Sequence, residues 1–278
     1  MALIFPAYAK LNLTLDIIGR RPDGYHEIDS VMQTISLHDL IWVERTDCRV
    51  FDVVGTLIDG ENLVLKAARE LEGRVSRNLP FTIRLFKRIP IGAGLGGGSA
   101  DAAAFLKAAN LLYDLKLKPA ELIEIATAVG QDVPFLLWGG TGRATGLGSS
   151  VGRLPAVPSS WRFLVICPPV EISTRAVYEA VDSSVPSAGR TPALVGALTS
   201  GADVTRFGND LEPASRRLFP ALEQAIERLR AAVPGMTMTG TGAAFFAVFQ
   251  NHRHAEPALA AVRQLGFPAW LCRPVAGP

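Results

Sequence analysis

The sequence predicts a chain that mixes strands and helices, in one large domain or two ordinary ones, and three observations carry that expectation. Residues 9–18, AKLNLTLDII, alternate apolar Leu11, Leu13, Leu15 and Ile17 with polar Lys10, Asn12, Thr14 and Asp16, as a half-buried strand does. Residues 90–114, PIGAGLGGGSADAAAFLKAANLLYD, run from a strand through a glycine-rich loop into alanine-rich helix formers. The second half mixes strand-like and helix-like stretches with no repeat of constant period. At 278 residues, with 49% hydrophobic and 19% charged side chains, the chain has enough apolar material for a full core and is too apolar to be disordered.

Composition also excludes several classes of function. Lys and Arg number 28 against 26 Asp and Glu, a net charge of +2, too balanced for the basic footprint of a nucleic-acid binder. Cys48, Cys167 and Cys272 are far apart and form no C-x-x-C pair, so neither a disulfide framework nor a zinc site is expected, and a reducing cytoplasm is the natural setting. Ala7-Tyr8-Ala9 imitates a signal cleavage site, but the apolar stretch before it is short and lacks a basic segment, so no targeting signal is expected. No apolar run approaches the ~18 residues of a membrane span.

The elements follow in order. After the first strand, GRRPDG at 19–24 supplies a turn through Pro22 and Asp23-Gly24. Further strands are expected at 28–37, 40–45 and 49–54, a helix over 61–71 ending near Gly73, and a strand at 80–88. The glycine loop gives way at Ser99 to a helix, and PAELIEIATAVG at 119–130 is a second helix with proline first and glycine last. The architecture shifts near 150–160. Beyond it WRFLVICPP is a buried strand stopped by prolines, STRAVYEAVD a helix capped by Ser173 or Thr174, and residues 183–190 an exposed loop. Helices over 192–199 and 219–232 precede a small-residue loop, Thr239 to Gly242, set between two strand-like runs. A helix at 255–265 and a strand at 267–274 close the chain.

Glycines at 92, 94, 96, 97 and 98 followed by a helix make a ready anion site: backbone N–H groups can approach closely, and the helix start adds unpaired donors. Tight packing alone would also use glycines. No lysine follows them, which excludes a Walker A loop. Gly92, Gly94 and Gly97 satisfy G-x-G-x-x-G with Asp114 beyond, yet LLYDLKLKP leaves no room for the second strand of a dinucleotide fold.

PIGAGLGGGSADAA resembles the phosphate-loop motif of the GHMP kinases, GQDVPFLLWGG their segment carrying a catalytic aspartate, and TGTGAAFFAVF their glycine-rich third motif. The amino-terminal AKLNLTLDIIGRRPDGYHEIDSVMQTISLHD is similar to one branch, whose acceptor is a cytidine-diphosphate-linked methylerythritol, and FGND at 207–210 fits that branch. The likeness spans essentially the whole chain. It implies a two-domain α+β kinase: residues 1–155 as an amino-terminal half like ribosomal protein S5 domain 2, with the phosphate loop, and residues 156–278 as a ferredoxin-like α+β half. The implied reaction is ATP-dependent phosphorylation of the acceptor's 2-hydroxyl in non-mevalonate isoprenoid synthesis, with Mg²⁺ expected as in other phosphoryl transfers. Its metal ligands and oligomeric state are not legible in the sequence.

Site residues carry over position by position. Asp132 could be an ordinary turn residue or helix cap; the resemblance makes it the general base for the acceptor hydroxyl. Lys10, on a polar strand face where a solvated charge is the default, becomes its electrostatic partner. Pro90, Ile91, Gly92, Ala93, Gly94, Leu95, Gly96, Gly97, Gly98 and Ser99 would wrap the ATP phosphates. Asn12, Tyr25, His26 and Tyr178 would bind substrate, the tyrosines stacking on cytosine and His26 supplying the edge contacts that stacking cannot. Core packing is the plain alternative for Tyr178, and a surface aromatic beside a solvated imidazole for Tyr25 and His26. Gly240, Thr241 and Gly242 form either a hairpin turn or a loop closing over phosphates and substrate. Asp101 is expected only to favour the helix dipole.

Three positions depart from the family pattern: Tyr8 where proline is usual, Gln131 beside the base, and Arg153 where glutamate is common. A GHMP kinase for another small alcohol, a non-catalytic nucleotide-binding protein and a dinucleotide oxidoreductase stand as alternatives.

Overall fold

The computed structural model describes residues 1–277 except 55–61, 183–186, 203 and 205. It forms two compact units that interleave along the chain. One comprises Met1–Ala9, Leu37–Ile91 and Gly96–Trp138, the other Lys10–Ser36, Gly92–Leu95 and Gly139–Pro278. Strands β1 (Ala2–Arg20) and β2 (His26–Arg45) contribute residues to both. This partition differs from a single division at 155/156.

In the first unit, the end of β2 pairs antiparallel with β4 (Phe81–Phe86), from Leu40 opposite Phe86 to Arg45 opposite Phe81, and β4 pairs parallel with β3 (Val50–Val54). Two strands were expected at 28–37 and 40–45, but one continuous strand forms. Of the two polar residues between them, His38 and Asp39, Asp39 is fully buried, and its carboxylate accepts from the Ile89 N–H at 2.8 Å and from the Arg88 N–H and the Lys87 ammonium. A buried carboxylate so satisfied does not interrupt a strand.

Helices cover the rest of this unit. α1 (Leu63–Val75) buries Val64, Ala67, Ala68 and Leu71, one face at helical spacing. Asn62 caps it, accepting from the Val64 N–H at 2.8 Å. The chain leaves α1 at Ser76, in the left-handed region at φ 49°, and the expected stop at Gly73 lies inside the helix. The expected start at Glu61 falls outside the described residues. α2 (Gly97–Leu112) packs against α1 and against α4 (Val133–Trp138), and α3 (Pro119–Val129) against α1. The small side chains of α2, alanine at 100, 102, 103, 104, 108 and 109, are all buried, which is what close approach between helices requires.

In the second unit, the start of β2 pairs with β5 (Thr141–Gly146), which turns back on β6 (Ser150–Arg153). This hairpin was not expected, since TGRATGLGSSVGR offers no apolar alternation. A four-stranded antiparallel sheet has the order β11 (Ala269–Cys272), β7 (Arg162–Ile166), β10 (Phe245–Phe249) and β9 (Thr237–Met238). Leu164, Ile166 and Ala247 of that sheet pack with Ala225 and Leu229 of α8 (Pro220–Arg230) and Val262 of α9 (His252–Gln264). A second cluster joins Leu15, Ile17 and Ile28 to Val177 of α5 (Thr174–Glu179), Leu211, Leu222, Ile226 and Phe245. Ser173 is the α5 cap, accepting from the Ala176 N–H at 3.3 Å. α6 (Arg190–Ser200) covers the expected 192–199 helix, whereas α7 (Glu212–Leu218) was unforeseen. Of the loop expected at 183–190, residues 183–186 lie outside the described residues, and Arg190 already begins α6. β8 (Gly208–Asn209) is a two-residue strand that pairs parallel with β1 at Thr14 and Leu15.

Candidate active site

On the second unit, Lys10 and Asn12 are buried on one face of β1. The Lys10 ammonium donates to Asn12 Oδ1 at 2.5 Å, and the Asn12 amide donates to Ser30 Oγ at 2.8 Å. Ser30 Oγ in turn donates to the Thr14 carbonyl at 2.6 Å. This chain of donors fixes which way the Asn12 amide faces: its oxygen is turned to the lysine. A solvated Lys10 is therefore not what the fold gives.

The glycine loop enters the same unit through Gly92–Leu95. The Lys10 N–H donates to the Leu95 carbonyl at 2.9 Å, tying the loop to β1 beside the lysine. Across from it, the Asn12 N–H donates to Thr239 Oγ1 at 2.8 Å and the Ala244 N–H donates to the Ala93 carbonyl at 3.2 Å. Gly94 sits at φ +75°, and a Cβ there would lie 2.3 Å from the Thr239 carbonyl oxygen. Both conformation and space thus require glycine. Gly240 answers from the other loop, where a Cβ would come within 3.0 Å of Gly94. The turn between β9 and β10 is a hairpin, and it is also the packing partner of the glycine loop.

In the first unit, Gly96 caps α2 at φ +70°, and the helix begins at Gly97 rather than Ser99. The N–H groups of Gly97, Gly98 and Ser99 belong to its first turn, where no intrahelical acceptor exists. The first turn carries no acidic residue, so the expected dipole role of Asp101 is corrected. Asp101 is buried, and its Oδ2 accepts from the Lys87 ammonium at 2.7 Å while Lys87 also reaches Asp39. Burial pushes the Asp101 carboxyl up to about 8 despite Lys87. Desolvation acts to lower the Lys87 pKa, but Asp101 and Asp39 outweigh it and the net shift is upward. Asp132 directly precedes α4, and its carbonyl accepts from the Leu136 N–H at 3.1 Å, the N-cap position of that helix.

His26 and Tyr178 meet in the second unit with ring centroids 5.7 Å apart and planes at 34°. His26 is buried, and burial with the nearby Arg20 charge lowers its pKa, so at neutral pH it offers one ring donor and one acceptor. Tyr25 beside it is exposed. Tyr178 also packs against the Val177 and Leu222 cluster, so it has a core role as well. A cavity of about 520 Å³ lined by Arg190, Gly208, Glu212 and Arg216 contains none of the expected catalytic or substrate residues. Its guanidiniums are already engaged, Arg190 with Asp210 at 2.5 Å and Arg216 with Glu223 at 2.5 Å.

Sequence reasoning did not find Ser30 or Thr239. Neither lies near Asn12 in the sequence: the pairing of β2 with β1 brings Ser30 there, and Thr239 reaches it from the turn after β9.

A buried lysine beside a glycine loop, with a second glycine loop bracing it, is an arrangement consistent with a small-molecule kinase of the GHMP class. Family models agree: GHMP kinases N terminal domain matches residues 62–140 and GHMP kinases C terminal matches 190–267. A 4-diphosphocytidyl-2-C-methyl-D-erythritol kinase from Caldanaerobacter subterraneus subsp. tengcongensis is 40% identical over 258 residues, covering 90% of this chain and 89% of that one. The enzyme of that name from Pelotomaculum thermopropionicum is 38% identical over 277 residues, 95% of each. The chain belongs to the 4-diphosphocytidyl-2-C-methyl-D-erythritol kinase family. A crystal structure of 4-(cytidine 5'-diphospho)-2C-methyl-D-erythritol kinase superposes with a TM-score of 0.83 at 35% identity over 99% of this chain and all of that one. Homoserine kinase from Cytophaga hutchinsonii, 18% identical with a TM-score of 0.72 over 99% of this chain and 95% of its own, shares the fold.

Proposed function

We propose that this chain transfers the γ-phosphoryl group of ATP to the 2-hydroxyl of 4-diphosphocytidyl-2-C-methyl-D-erythritol. Membership of the family supports the reaction and acceptor. The observation that carries the site is the bond from the Lys10 N–H to the Leu95 carbonyl, which ties a buried lysine to the glycine loop. Residues 90–99 would cradle the phosphates with backbone N–H groups. Asp132 would take the proton from the acceptor hydroxyl as it attacks, and Lys10, oriented by Asn12, would favour the developing alkoxide. Tyr25 and Tyr178 would stack on the cytosine, while neutral His26 would donate to and accept from its edge. Gly240, Thr241 and Gly242 would line the phosphates and acceptor. In functional terms residues 1–155 supply base and cradle, and residues 156–278 supply the bracing loop.

Phosphoryl transfer rests on positioning and charge stabilisation, and neutralising charge on the phosphates is the contribution expected of Mg²⁺. Among the described residues no group of three or more metal-ligating His, Cys, Asp or Glu side chains occurs. That fits an ion delivered with the nucleotide, since Mg²⁺ commonly takes few protein ligands beside phosphate oxygens. The Ser99 hydroxyl is the oxygen this chain would add. Among the described residues Cys48, Cys167 and Cys272 form no disulfide, and no helix is long and apolar enough to cross a membrane.

The deciding assay is ADP release with Mg-ATP and the diphosphocytidyl methylerythritol, beside mevalonate, homoserine and a no-acceptor control. Turnover with the first alone is expected. Turnover with another alcohol instead would move the substrate, and ATP binding without turnover on any would favour a non-catalytic role.

A further inference from the structure

We propose that Asn209 is a positioning residue for the phosphate loop, acting through the second glycine loop; this rests on the reading of residues 90–99 as the phosphate cradle. Asn209 is 5% exposed and stands on β8 opposite Leu15 of β1. Its amide nitrogen donates both protons to the loop, to the Met238 carbonyl at 2.9 Å and the Gly240 carbonyl at 2.7 Å. Its oxygen accepts from the Leu211 N–H at 2.9 Å, so the amide cannot flip without losing all three bonds.

The loop it holds has little regular structure of its own. β9 is two residues long, and Gly240 and Gly242 both have positive φ. Buried and half-buried carbonyls in such a segment need partners from elsewhere. Asn209 serves two of them, and Ser215 a third, its Oγ donating to the Thr241 carbonyl at 3.0 Å. The position so fixed reaches the cradle directly. The Thr239 carbonyl and Gly240 abut Gly94, the Ala244 N–H bonds Ala93, and Thr239 Oγ1 bonds the Asn12 N–H next to Lys10. The side-chain bonds of Asn209 run to the loop and to Leu211 rather than to the cradle, yet a shift of its loop displaces Gly94 at once, because the two backbones are already at contact.

The test compares the full-length chain with Asn209→Ala, Ser215→Ala and Gly94→Ala. Readouts are kcat/KM for ATP, the dissociation constants of Mg-ADP and of cytidine diphosphate, and the melting temperature. Asn209→Ala is expected to lower kcat/KM for ATP about tenfold or more, since sub-ångström misplacement of a reacting group is costly. Ser215→Ala, nearly isosteric and losing one bond, should lose about threefold. Because Tyr25, His26 and Tyr178 would hold the cytidine and the 240–242 loop only the reacting end of the acceptor, cytidine diphosphate affinity should stay within about twofold of wild type, a split that a merely structural role would not produce. ATP parameters at the wild-type level in folded Asn209→Ala overturn the proposal, as does an equal loss for both nucleotides. If Asn209→Ala does not fold, Ser215→Ala decides by the same split. Should Gly94→Ala bind Mg-ADP as wild type does, the cradle reading fails and this inference with it. A damaged Gly94→Ala beside intact Asn209→Ala and Ser215→Ala removes the inference alone.

Discussion

Asn12 Oδ1 lies 2.5 Å from the Lys10 ammonium, two residues apart on one face of β1, and it is held there because the Asn12 amide nitrogen is already committed to Ser30. A four-carbon side chain in a buried setting would otherwise sample several rotamers. We predict that Asn12→Leu, which keeps the branched shape and removes the acceptor, lowers kcat about tenfold by loosening Lys10. Mg-ADP affinity should hardly change. Steady-state kinetics beside calorimetry check this, and a wild-type kcat would remove Asn12 from the catalytic machinery.

Asp132 carries a separate prediction. Its backbone already serves as the N-cap of α4, so Asp132→Asn keeps a good capping residue and the helix should persist. Turnover should nonetheless fall by roughly 10²-fold or more if its carboxylate is the base. Single-turnover assays with bound Mg-ATP report this directly. A variant as fast as wild type would return Asp132 to the role of helix cap.

His26 is expected to act in binding. His26→Ala should weaken the affinity for cytidine diphosphate by about 1–3 kcal/mol, the range for leaving a buried polar partner unsatisfied. Because burial and Arg20 lower the pKa of His26, the imidazole is neutral above the ordinary histidine range. Cytidine diphosphate affinity should therefore be flat from about pH 7 to 8.5 and weaken only as pH falls below about 6.5. Isothermal titration across that range tests it, and a decline beginning above pH 7 would contradict the neutral assignment.

Parts of this molecule were plain in the linear sequence and others were not, for physical reasons. Periodicity made β1 and α1 legible, proline and glycine ends α3, an apolar run stopped by prolines β7, and the glycine clusters at 92–98 and 240–242 marked both loops. Short elements without periodicity, β5, β6 and α7, escaped because tertiary pairing forms them: β5 exists by bonding to residues 28–33 of β2. The starting point of α2 was misread by two residues, since a glycine in a left-handed cap looks like loop. What pattern could not supply was the partner of each polar side chain. Asp101 looked like a helix-dipole acid, yet Lys87, fourteen positions earlier, defines its environment. Asn209 looked like part of a family signature, and only its two bonds to the 238–240 carbonyls say what it does.

Asp101 gives the last prediction, one of stability. Its carboxyl is pushed up to about 8 by burial, while one Oδ1 atom has no hydrogen-bond partner. An unfolded chain holds the same group at the ordinary 3.8. Between these values the folded protein keeps a proton that the unfolded chain releases, so folding takes up a proton there. Stability from this group must then fall as pH rises from about 4 to about 8, and level off above. Asp101→Asn removes the titration but keeps an oxygen to accept from Lys87, which retains Asp39 as its counter-charge. Relative to this variant, the wild-type melting temperature should drop by several degrees between about pH 5 and 8 and run parallel above that range. Calorimetric scans in matched buffers measure the difference. Parallel curves throughout would mean that Asp101 stays ionised in the fold, with Lys87 shared evenly between two carboxylates.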